Sequence, residues 1–133
     1  MKVYRYMSIK ELEKMSSYID IVGRKAHKAR TSSHGICFLP ERIQFEDSQG
    51  EKHEFSPEEC YTFLRNIVSG DILVEFETTV EINRSYGIYA DPIYLDWGAT
   101  ICIEEYCTPF YNRDWMKPVR YKPVGENDWY IFN

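Results

Sequence analysis

Apolar and polar residues repeat along this chain with two different periods. Residues 2–7, Lys-Val-Tyr-Arg-Tyr-Met, alternate as a strand does. From Ser8 the period lengthens: Ile9, Leu12, Met15 and Ile19 recur at near-helical spacing, and Ser8 with Glu11 makes a capping box at the start. This predicts a helix near 8–18. Ser56-Pro57-Glu58-Glu59 is a second helix start, and Cys60, Phe63, Leu64, Ile67 and Val68 predict an apolar face over 57–69, ended by Gly70. Strands are predicted at 71–79 and 100–108, with a short apolar run at 36–39 and another candidate at 87–89. A hairpin is predicted from 42–45 and 52–55 through Asp47-Ser48-Gln49-Gly50. Tyr121 and Trp129 to Phe132 are candidates for the last strands. The expected fold is one α+β domain over 1–133, a small, mostly antiparallel or split sheet with two principal helices.

The chain has 133 residues, with 44% apolar and 28% charged. That composition is globular. The net charge of −5 argues against general nucleic-acid binding, which wants a basic surplus. No apolar run is long enough for a membrane span, and polar sequence follows the first strand at once, so a cytoplasmic setting is expected. Cys37, Cys60, Cys102 and Cys107 include no C-x-x-C pair. Cys102 and Cys107 are five apart in a strand-like run and point to opposite faces, so no shared metal is expected there and reduced core thiols are. Aromatic residues are abundant, with 11 Tyr, 7 Phe and 3 Trp. They suit either a small β-rich core or an aromatic-lined cleft.

Two charged residues fall on apolar faces. Alternation over 100–108 puts Glu105 with Ile101, Ile103 and Cys107. A carboxylate there needs a partner, a cleft or an edge position. Arg5 shares a face with Val3 and Met7, and an inward guanidinium calls for a carboxylate or a phosphate. A structural ion pair satisfies it as well as a ligand does, and Glu105 is one candidate partner. Thr31-Ser32-Ser33 is a hydroxyl cluster leading into the apolar run at 36–39.

Taken in order, Tyr4-Arg5-Tyr6, Arg30-Thr31-Ser32-Ser33 and Glu104-Glu105-Tyr106-Cys107-Thr108 resemble the motifs of ADP-ribosyltransferases. That superfamily carries Arg or His on its first strand, a Ser-Thr-Ser or Tyr motif opening a middle strand, and a late catalytic Glu. The helix and strand at 57–78 fall where the family places a helix and a sheet strand. The resemblance implies NAD as substrate and cleavage of its nicotinamide–ribose bond. Glu105 would be catalytic, Arg5 would hold the ribose or pyrophosphate region, and Ser32 or Ser33 would position these groups. A tyrosine would stack on nicotinamide, with Tyr86, Tyr89 and Tyr106 as candidates. No metal is implied. The acceptor is expected to be a protein, though residue 103 is Ile, so the Glu-x-Glu pair of arginine-modifying members is absent. The expectation is that Arg5, a hydroxyl from 31–33 and Glu105 converge on one cleft. The rival is a non-enzymatic, acidic protein-binding or inhibitor module, to which small size and many tyrosines are suited, and a third reading is a degenerate transferase fold that binds NAD or a nucleotide without turnover.

Overall fold

The computed structural model describes residues 1–17, 36–47, 49–60, 70–79, 83–90, 100–108 and 116–132. In chain order these form β1 (Lys2–Met7), α1 (Ile9–Ser17), β2 (Ile36–Phe38), β3 (Ile43–Glu46), β4 (Lys52–Phe55), a 3-10 turn (Pro57–Glu59), β5 (Ile72–Thr78), β6 (Asn83–Ala90), β7 (Thr100–Thr108), β8 (Met116–Pro123) and β9 (Tyr130–Ile131). The expected α+β arrangement with two principal helices is corrected: the described residues are mostly sheet. The physical reason is visible in the core, which strands fill from both sides. Val3, Met7, Ile36, Phe38, Ile72, Val74, Phe76 and Met116 form one cluster, against which α1 packs Leu12. Tyr4, Tyr6, Leu39, Ile43, Phe45, Leu73 and Ile103 form the other, with Cys60 just past the 3-10 turn. Ile9, placed on the apolar face by its spacing, is half exposed. The predicted helix at 57–69 begins as a 3-10 turn, where the Glu59 carboxylate accepts from the Ser56 N–H and hydroxyl. Its continuation over 61–69 lies outside the described residues.

The strand order is β1-β5-β8-β9 in one sheet and β2-β7-β6 in another, with β3-β4 as a hairpin. Every pairing is antiparallel. An isolated bridge joins the first two sheets. Tyr4 donates to the Leu39 carbonyl at 2.9 Å, and Leu39 donates back at 2.6 Å. β2 therefore stands between β1 and β7. β5 is buried on both faces, as a central strand must be.

Tyr121, a candidate for the last strands, lies in β8, which also holds two prolines, Pro118 and Pro123. The chain accommodates Pro118 with a register shift between Glu75 and Phe76. Pro118 faces Phe76 and Arg120 faces Glu75, leaving Val119 as the extra residue. At the other end of β5, Gly70 has φ +94°, and a Cβ there would lie 2.2 Å from the Met7 carbonyl carbon. Only glycine lets this turn pass so close to the end of β1. Among the described residues no helix is long and apolar enough to cross a membrane.

Candidate functional site

Alternation in β1 turns Arg5 inward with Val3 and Met7, and its side chain is fully buried. Its Nη1 donates to the Cys37 carbonyl at 2.7 Å, and its Nη2 donates to Glu11 Oε1 at 3.1 Å. The guanidinium carbon lies 5.9 Å from the centre of the Phe38 ring. The anion that Arg5 required is thus supplied by Glu11, in the first turn of α1. Ser8 Oγ accepts from the Glu11 N–H at 3.0 Å, so the capping serine is in place while the Glu11 carboxylate turns to the arginine. Sequence reasoning read Glu11 as a cap alone. A buried arginine six residues before it was the available signal.

β7 carries the second charged group inward. Ile103, Glu105 and Cys107 are buried, while Cys102 is exposed and Glu104 and Tyr106 are half-buried on the other face. β2 pairs with β7 so that Cys37 lies directly opposite Cys107. Their sulfurs are 3.1 Å apart. One carboxylate oxygen of Glu105 joins them, the three atoms lying within 4.8 Å of one another. Arg5 and Glu105 therefore meet at Cys37, one at its carbonyl and the other beside its sulfur. They approach from the two sides of β2: Arg5 belongs with Ile36 and Phe38, Glu105 with Leu39 and Ile103.

Thr31, Ser32 and Ser33 lie outside the described residues, so their part of the expected cleft does too. Tyr89 lies in β6 opposite Ile101, and Tyr86 opposite Glu104. Tyr106 faces away from Glu105 and, with Glu104, Lys2, Arg42 and Gln44, lines an open pocket of about 540 Å³. It does not share a face with the carboxylate it was grouped with.

Two further polar networks were not foreseen. Glu75, on the face of β5 that also carries Leu73, accepts from Tyr4 Oη at 2.9 Å and from Arg120 at 3.0 Å (Nη2) and 3.1 Å (Nε). The Arg120 guanidinium sits 4.2 Å from the Trp129 ring centre, a cation–π contact. Burial, then the hydrogen bond and charge of Glu75, push the Tyr4 hydroxyl far above its ordinary range. In the β3–β4 hairpin, Asp47 Oδ1 accepts from the Gln49 and Glu51 N–H groups, and its Oδ2 lies 2.6 Å from His53 Nε2. Desolvation works to raise the Asp47 carboxyl. The His53 and backbone hydrogen bonds outweigh it and hold the carboxyl below the ordinary value of 3.8. Glu75 shares its face of β5 with Glu77 as well as Leu73, so alternation gave no sign of its burial, and nothing in the spacing pointed to Arg120. No family model, curated protein or solved structure matches the chain.

Proposed function

We propose that the chain transfers ADP-ribose from NAD to an acceptor, expected to be a protein, with Glu105 as the catalytic carboxylate. The observation that carries this reading is the placement of the motif strands. Arg5 on β1 and Glu105 on β7 both lie against Cys37 of β2, though from opposite faces of that strand, which residues 31–33 precede. In this reading Glu105 hydrogen-bonds a ribose hydroxyl and stabilises positive charge as the nicotinamide–ribose bond breaks. Nicotinamide leaves with the bonding electrons, and the acceptor nucleophile takes its place on the ribose carbon. Arg5, committed to Glu11 and the Cys37 carbonyl, acts as a positioning residue that fixes β1 and α1 against β2. A cytoplasmic setting would supply NAD.

The burial of Arg5 favours a second reading. A guanidinium with both terminal nitrogens engaged inside the protein performs the structural task that a binding or inhibitor module also needs. The test is NAD turnover, read as nicotinamide release, in the wild type and in Glu105→Gln. The transferase reading expects a fall of ~100-fold or more with the fold and the NAD-induced thermal shift retained. Absence of both turnover and a thermal shift with NAD gives the molecule to the binding-module reading.

A further inference from the structure

We propose that Cys37, Cys107 and Glu105 form a binding site for one thiophilic divalent cation, with Zn²⁺ the natural occupant. The donor set comes from two strands. Cys37 and Cys107 are cross-strand partners, and Glu105 lies two residues before Cys107 and hence on the same face. All three are buried, with relative exposures of 1%, 2% and 4%. Their donor atoms lie within 4.8 Å of one another, a spread that small side-chain rotations can close onto one ion. Tetrahedral zinc with metal–sulfur bonds of about 2.3 Å places two sulfurs about 3.8 Å apart. The sulfurs here are 3.1 Å apart, so a small rotation of either thiol opens the required angle. Two thiolates and a carboxylate carry three negative charges, which a bound divalent cation largely offsets. Loading therefore releases one proton from each thiol as its sulfur–metal bond forms. Three protein donors leave a fourth coordination position for another ligand.

The Glu105 carboxylate facing the two sulfurs works against the thiolate form while no cation is bound. Sequence spacing gave no sign of the site, because Cys37 and Cys107 are 70 positions apart. The assignment stands apart from the transferase reading. Should that reading also hold, an ion here would occupy the carboxylate that the reaction needs.

The test is a Cd²⁺ titration of the full chain, reduced and stripped of metal, followed by the ultraviolet thiolate-to-cadmium charge-transfer band. The expected result is saturation at one Cd²⁺ per chain, with Zn²⁺ displacing the signal competitively. Cys37→Ser and Cys107→Ser should each weaken binding at least ~10-fold, and Cys102→Ser, at an exposed thiol, should not. Glu105→Gln keeps both sulfurs and should weaken Cd²⁺ binding by ~10- to 100-fold, which decides the matter if a serine variant fails to fold. No band at one equivalent overturns the proposal, as does a band unchanged in Cys37→Ser or in Glu105→Gln. A Cys37–Cys107 disulfide in protein purified without reductant, insensitive to Cd²⁺, also overturns it and makes the pair a redox element.

Discussion

Replacing Arg5 by methionine should be among the most damaging single changes in the molecule. The Arg5 and Glu11 side chains are 1% and 5% exposed, so water cannot take over the charge left behind. Arg5→Met strips Glu11 of this counter-ion and the Cys37 carbonyl of a 2.7 Å donor. Breaking a buried pair from one side costs about 3–5 kcal/mol. Against a typical total stability of roughly 5–15 kcal/mol, that is about a fifth or more of the whole. Urea denaturation should show the midpoint falling sharply, and the melting temperature should drop by ~10 °C or more. Glu11→Leu added to Arg5→Met removes the stranded carboxylate and restores apolar contact, so the double variant should recover at least ~2 kcal/mol over Arg5→Met alone. High salt should change these differences little, since a buried pair is weakly screened. A cost below ~1 kcal/mol for Arg5→Met, or additive costs in the double variant, would refute the account of a buried, mutually dependent pair.

Gly70→Ala should cost ~3 kcal/mol or more by urea denaturation, because the new Cβ meets the Met7 backbone at 2.2 Å and the residue must hold φ +94°; a loss under ~1 kcal/mol would mean that the turn relaxes freely. Asp47→Asn should lower stability at neutral pH and lose its effect in acid. The Asp47 carboxyl is depressed in the folded state, so its contribution is present above the ordinary value of 3.8 and fades as pH falls through the lower folded value. Acid-unfolding curves of the two proteins should therefore converge there, and a gap that persists at the lowest pH contradicts the assignment.

The strands were legible wherever alternation was regular. β1, β5 and β7 lie where the pattern put them, and the inward turns of Arg5 and Glu105 followed from that alternation alone. Their partners were not legible. Glu11 was already explained by its place in a capping box, so its second use as a counter-ion left no trace. Cys37 and Cys107 are joined by a register that only the assembled sheet defines. β8 was legible at Tyr121 but not in its extent, because the register shift that admits Pro118 depends on β5 opposite it. Of the two helix-like runs, the first forms α1 and the second is described only to Cys60, while apolar residues from the strands supply most of the described core.

The order in which the chain is synthesised bears on the Cys37 neighbourhood. β1 must wait for β5, and the hydrogen bond from Tyr4 to Glu75 closes a separation of 71 residues. β2 must wait for the end of β7, across a separation of 70. Neither partner can form early on a ribosome, and such non-local pairings close slowly, in the millisecond-to-second range typical of β-rich domains. The Cys37 sulfur therefore meets Cys107 and Glu105 only after Thr108 has emerged. A chain halted before that point has no β2–β7 pairing, and Cys37 lacks both Cys107 and Glu105.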